Sequence, residues 1–319
     1  MKIVPVLVVA LVPASLALAT AFGSVDLGPG QLADALLGRG DEIAREIIWG
    51  VRAPRALAGF ACGGLLALAG ALLQVLLRNP LADPTILGVS GGAAAGALAA
   101  MLLGVGAAAL NLAALAGASI AAGAVFAFSL GRSGWNPYRV LLTGVALASG
   151  FGALVGLMLS LAPSSQVQGM LFWLLGDLSP AGDPSVALIV LAACAALAFS
   201  QSAALDVLIL GEDKARSLGV AVTRLQSIAF GCATLATVAA VLLGGSIGFV
   251  GLVVPHLLRL SGVHRHGALL PLSACLGGSL LALADALART VAAPAELPVG
   301  VLTAMIGVPV LLVLLARLR

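Results

Sequence analysis

Few side chains in this sequence are equipped for chemistry, and the densest group lies between two long apolar runs, in Leu205–Arg224 (LDVLILGEDKARSLGVAVTR). Glu212, Asp213, Lys214 and Arg216 fall within five residues, in a chain where only 9% of residues are charged. Gly211 can open a short helix and Gly219 can close it. The acids stand in the first turn and the bases after them, which suits the helix dipole. Glu212 and Arg216 form a favourable i,i+4 pair. A compact polar helix of this kind can lie on a bilayer surface and present a face to a soluble partner; the same residues also fit a solvated connecting loop.

Catalytic chemistry finds little support elsewhere. The two lysines, Lys2 and Lys214, lie outside any GxxxxGK[ST] loop, so the chain encodes no Walker-type ATPase. It has no HExxH and no Gly-x-Ser-x-Gly elbow. Of the three histidines, His256 reads as a packed or capping residue, and His264 and His266, flanking Arg265, read as solvated. Cys62, Cys194, Cys232 and Cys275 fall in four different apolar runs without a CxxC or a nearby His, as buried inert thiols do. No catalytic residue, metal site or bound cofactor is expected. Asp285, the main ionisable group inside a span, sits one helical turn before Arg289, and an intrahelical pair accounts for it. A proton-coupled carrier needs an acidic relay at mid-depth, which is not visible, so a stand-alone secondary transporter is the weaker alternative.

These residues must be positioned by membrane helices. Hydrophobic residues make up 61% of the chain and the mean hydropathy is +1.16, against about half apolar and about a quarter charged in soluble domains. The fold class is all-α and polytopic: the 319 residues allow roughly ten spans of about 20 residues, in one transmembrane domain over residues 1–319. Gly is 40 of 319 residues, as in helices packed through small side chains. In order, the spans are about Ile3–Phe22, Arg55–Leu77, two within the uncharged Ile86–Leu130 hinged near Gly104–Asn111, then Val140–Leu161 and Ser185–Leu205. After the charged island follow Leu225–Gly244, the short Gly248–Leu260, Ala268–Ala288 and Leu297–Ala316. Gly23–Pro54 is a polar segment, with Pro54 opening the second span, and Arg78–Pro84 (RNPLADP) is a tight turn. Gln166–Leu178 is a helix too short and polar to cross, in a re-entrant or pore-side place.

Orientation follows from Lys and Arg in the loops. With both termini cytoplasmic, that side carries Lys2, Arg78, Arg132, Arg139, Lys214, Arg216, Arg224, Arg259, Arg265, Arg317 and Arg319, and the other only Arg39, Arg45, Arg52, Arg55 and Arg289. Glu212–Ser217 then faces the cytoplasm.

Four stretches together resemble the permease subunits of bacterial type II ABC importers, the iron-chelate and cobalamin family: Val51–Ala97, Gly211–Val220 (GEDKARSLGV), Gly245–Leu260 (GSIGFVGLVVPHLLRL) and Ala284–Leu315. They stand in family order and cover nearly the whole chain; the first span and Gly23–Ile48 match least. The resemblance implies a homodimer in the inner membrane, two ATPase subunits that hold the ATP and Mg, and a periplasmic substrate-binding protein. It implies that Gly211, Glu212, Asp213, Lys214, Ala215, Arg216, Ser217, Leu218 and Gly219 form the helix that couples to the ATPase. It also implies that Arg52, Arg55 and Arg289 dock acids of the binding protein, for which a planar guanidinium is suited; anchoring span ends at the headgroups is the other reading. By position, Asn79 and Thr143 are candidate cytoplasmic gates, although Asn79 also fits a cap of its own turn and Thr143 a bond to its own helix. Gln166, Gln168 and Trp173 are candidates for the outer pathway. The cargo expected is an iron complex, haem or ferric siderophore, because these are the larger share of the family, with cobalamin as the alternative; no residue reads the ligand.

Overall fold

Backbone groups cannot be left unpaired in hydrocarbon, so an apolar chain folds there as helices that satisfy their own hydrogen bonds. The computed structural model of the protein describes residues 3–131, 134–179 and 182–317; Lys2, Arg132 and Arg319 of the orientation argument lie outside these. Apart from a short pairing of Leu130 and Gly131 with Trp135 and Gly134, its regular structure is helical. The first helices are α1 (Ile3–Ala21), α2 (Pro29–Leu36), α3 (Glu42–Arg45), a π-helical segment Glu46–Arg52 and α4 (Ala53–Leu76). A 3-10 turn, Pro84–Leu87, leads to α5 (Val89–Leu102), α6 (Ala107–Ser129), α7 (Pro137–Leu161) and α8 (Ser164–Leu175). Then come α9 (Ser185–Ser200), α10 (Ser202–Leu208), α11 (Glu212–Ser217), α12 (Val222–Gly244), α13 (Val250–Leu260), α14 (His266–Thr290) and α15 (Val299–Arg317).

Among the described residues six helices are long and apolar enough to cross a membrane, and α9 with α10, bent by 60°, make a seventh if taken as one broken span. The expected count of about ten spans is not confirmed by length and composition: α5, α13 and Val299–Val313 of α15 are shorter apolar helices. At 1.5 Å per residue α5 and α13 reach only about 21 and 17 Å, short of the roughly 30 Å hydrocarbon core. Short helices are tolerated at depth where protein surrounds them, and α13 is buried over most of its length.

The polar segment before α4 is partly helical and continuous with it. Pro54 does stand in the first turn of α4, but the helical path begins at Glu42 and runs to Leu76. Proline removes a donor and crowds the preceding turn; here the π-helical residues Glu46–Arg52 directly precede it, and a wider turn accommodates such an interruption. The Trp49 indole N–H donates to the Ala35 carbonyl at 3.0 Å and ties this helix to α2. The helix expected over Gln166–Leu178 runs instead over Ser164–Leu175, because Gly176 turns to φ +81°.

α4 is the hub, buried along nearly its whole length and packed on α12, α13 and α14. Small residues permit this. A Cβ on Gly63 would lie 2.2 Å from the Gly277 carbonyl of α14, and one on Gly70 would lie 1.9 Å from the Gly251 carbonyl of α13. Gly70→Ala is therefore expected to force α4 and α13 apart and cost about 1–3 kcal/mol. The check is the melting temperature of the solubilised protein beside Gly231→Ala, where an added Cβ meets nothing within 4 Å; equal melting would refute the close contact. By contrast α7 buries only Val140 and Gly144.

Candidate coupling and gating sites

The inner end of α4 feeds the RNPLADP turn, and this turn meets α11. Gly211 precedes α11 at φ +112° and Gly219 follows it at φ +82°, both in the region that favours glycine. The amides of Gly219 and Val220 close the last turn onto the Arg216 and Ala215 carbonyls, each at 3.0 Å. Ala215 is buried beneath the helix, and Asp213, Lys214, Ser217 and Leu218 face outward, Leu218 being 63% exposed.

Glu212 fixes this helix to the membrane helices. Its carboxylate accepts from Arg78 Nη2 at 2.8 Å, Gln226 Nε2 at 3.1 Å and Arg216 Nη2 at 3.4 Å. The sequence reading supplied only the Arg216 pair. Arg78 and Gln226 carry the connection to the end of α4 and to α12.

Gln74, not singled out from the sequence, is the polar centre of the same end. Its side chain is buried; Nε2 donates toward the carbonyls of Ala82 at 3.4 Å, Gly251 at 3.3 Å and Leu252 at 3.2 Å, while Oε1 accepts from Arg259 Nη1. One side chain thus joins α4, the RNPLADP turn and α13. Asn79 caps its own turn, accepting from the Leu81 amide at 2.9 Å. Asp83 accepts from the Thr85 amide at 2.8 Å and hydroxyl at 2.5 Å; burial pushes its carboxyl above the usual range against these bonds.

His266 is not solvated as expected: it is wholly buried, and its backbone amide and Nδ1 approach Asp206 Oδ1 at 2.9 and 2.5 Å. This ties α10 to the first turn of α14. His256 is packed, as read from the sequence, at 8% exposure.

At the outer end the arginines turn inward. Arg52, Arg55 and Arg289 are 3%, 7% and 3% exposed. Arg52 donates to the Ala21 carbonyl at 2.6 Å and to the Val25 carbonyl, closing the exit of α1. Arg55 donates to Asp285 from Nε and Nη2 at 3.0–3.2 Å and to Glu296 from Nη1 at 2.8 Å. Asp285 also pairs with Arg289 Nε at 3.0 Å, the intrahelical pair expected, and Arg289 Nη2 reaches the Ala19 carbonyl at 3.1 Å. Glu296 further accepts from Ser179 Oγ at 2.8 Å. Burial works to raise its carboxyl, but Arg55 and Ser179 overcome this and hold it below the usual range. All three guanidiniums are thus engaged by groups of the chain itself.

Of the outer-pathway candidates, Gln168 and Trp173 line an open cavity of about 630 Å³ with Asp177 and Ser179. Gln166 is not in its lining, and its Oε1 has no partner among the described residues. Thr143 lies partly buried on α7. The four cysteines are free, three buried and Cys275 partly so. Among the described residues no three His, Cys, Asp or Glu side chains converge as a metal site would require.

A family model described as the FecCD transport family matches residues 8–317. The chain is 41% identical over 278 residues to the cobalamin import system permease protein BtuC of Halobacterium salinarum, covering 86% of this chain and 74% of that one. It is 40% identical over 277 residues to the vitamin B12 import system permease protein BtuC of Escherichia coli, covering 85% and 84%. A solved structure described as an inward-facing conformation of a metal-chelate type ABC transporter superposes with a TM-score of 0.87 at 28% identity, covering 99% of this chain and all of the other.

Proposed function

Because this chain belongs to the FecCD transport family, we propose that it moves a cobalamin inward across the membrane, as a pair of copies driven by ATPase subunits that seat on α11. The chain is a multi-pass inner-membrane permease of the ABC importer type. The observation that carries the mechanism is the mounting of α11: two bonds to Glu212, from Arg78 and Gln226, hold it to the end of α4 and to α12, and Asp213, Lys214 and Leu218 stay outward for a partner. ATP-driven closure of the ATPases displaces α11, and Arg78 and Gln226 pass the displacement into the helices around the pathway. The nearly bare α7 supports pairing of two copies around that pathway. Substrate arrives from a binding protein at the outer end, where Arg52, Arg55 and Arg289 act as an internal clamp and not as free docking groups. Asn79 shapes the inner turn, and Gln168 and Trp173 line the outer entrance.

Cobalamin replaces the iron complex expected from the sequence because the relatives near 40% identity are named for it. The test is reconstitution with the ATPase of the same importer and uptake of cobalamin, haem and a ferric siderophore with and without ATP. ATP-dependent cobalamin uptake is expected; iron-complex uptake alone would reverse the assignment of cargo. Uptake by the chain without the ATPase, under a proton gradient, would reject the importer reading in favour of a secondary transporter. Leu218→Ala or Arg216→Ala is expected to lower uptake roughly tenfold while ATP hydrolysis continues; full coupling in both would move the contact elsewhere.

A further inference from the structure

Beside α11 the inner end holds a cleft of about 590 Å³ lined by Arg78, Asn79, Arg259, Arg265, His264 and Asp206, among others. Its charges are unbalanced. Arg78 is matched by Glu212, and Asp206 is taken up by His266. Arg259 is only partly exposed and bonds the neutral Gln74 oxygen; among the described residues it has no carboxylate partner. Arg265 is exposed and makes no side-chain bond among the described residues. A partly buried guanidinium without a counterion is costly, so an anion from outside the described residues would be stabilised in this cleft.

We propose that this cleft is a second docking point for the ATPase subunit, taking a carboxylate of that partner on Arg265 and Arg259, separate from the seat on α11. This rests on the importer reading. Two observations favour a protein partner, and guanidinium chemistry suits its carboxylate as well as it would a phosphate. The cleft adjoins α11 directly, since Arg78 lines it and bonds Glu212. Its Arg78–Pro80 and His264–Arg265 portions are turns between helices, not the flank of a spanning helix. The planar guanidinium fork matches a carboxylate with two parallel hydrogen bonds. Two anchors per copy give a lever as well as a contact: α11 transmits the push, and the cleft keeps the ATPase from rotating about that short helix.

The test is association of the intact chain with the ATPase of its own importer, in nanodiscs with and without phosphatidylglycerol, over a salt series. Arg265→Glu is expected to weaken association about tenfold or more and to flatten its salt dependence, with melting unchanged; Arg265→Lys should retain most of the affinity. Wild-type affinity in Arg265→Glu would overturn the proposal while leaving the importer reading intact. An effect confined to phosphatidylglycerol-containing discs, without change in ATPase affinity, would assign the cleft to lipid phosphate and overturn it as well. Failure of the unmodified chain to bind the ATPase would remove both this proposal and the importer reading.

Discussion

Arg55→Glu is expected to abolish folding of the protein, not merely to loosen its hold on a binding protein. All three nitrogens of the Arg55 guanidinium are committed: Nε and Nη2 to Asp285, Nη1 to Glu296. Removing one partner of a buried ion pair costs about 3–5 kcal/mol, a large share of the roughly 5–15 kcal/mol that stabilises a typical domain. Reversal adds a third carboxylate beside Asp285 and Glu296, with only Arg289 left to balance them. The same change releases Glu296, which with Ser179 holds the α14–α15 connection against the α8–α9 connection. Arg55→Lys keeps the charge but has no fork, so a smaller loss is expected. The measurement is folded yield and melting of the solubilised protein, followed by binding-protein affinity. If Arg55→Glu folds and melts as the wild type does and loses only that affinity, the guanidinium is available for docking and the clamp reading is wrong.

Arg55 also marks the boundary of what the sequence discloses. Features set by neighbours in the chain were legible. Gly211 and Gly219 bound α11 because positive φ at both ends is a local demand, Asp285 pairs with Arg289 one turn on, and the uncharged run from Ile86 divides at Leu103–Gly106. Partners set by the folded arrangement were not. Arg55 and Asp285 are 230 positions apart, Gln74 and Arg259 185, Arg78 and Glu212 134, and Asp206 and His266 60. Family resemblance supplied a role for the outer arginines but not the carboxylates and carbonyls that occupy them, because a role is attached to a position and a partner to a fold. The span count is not confirmed by helix length for a related reason. Hydropathy measures how apolar a run is, whereas α5 and α13 owe their stability at depth to being enclosed by other helices. Cargo was illegible because no side chain was identified that reads it.

Gln74→Leu is expected to lower stability by about 3 kcal/mol or more, since leaving each buried polar group unpaired costs about 1–3 kcal/mol and the change strands the Ala82, Gly251 and Leu252 carbonyls together with Arg259. The more informative variant is Gln74→Glu. A carboxylate would bond Arg259 better than the amide oxygen does, through a charge-assisted contact. It would also lose both N–H donors and point an anionic oxygen at three carbonyl oxygens, in a site where low polarity amplifies the mismatch. If the Arg259 contact dominates, Gln74→Glu should melt near the wild type; if the carbonyls dominate, it should fall with Gln74→Leu. The count of stranded acceptors favours the second outcome. The loss should be felt first in the turn carrying Asn79, because the Ala82 bond ties its far side to α4, beyond the Arg78 and Asn79 amides that donate to the Val75 and Gln74 carbonyls. Faster amide hydrogen exchange across Arg78–Asp83 in both variants, with exchange in α6 unchanged, is the expected pattern. Wild-type exchange in that turn would show that the bonds of Asn79 and Asp83 hold it without the Gln74 side chain, and the link from α4 to the candidate inner gate would have to run through the Arg78 and Asn79 amides on the Val75 and Gln74 carbonyls.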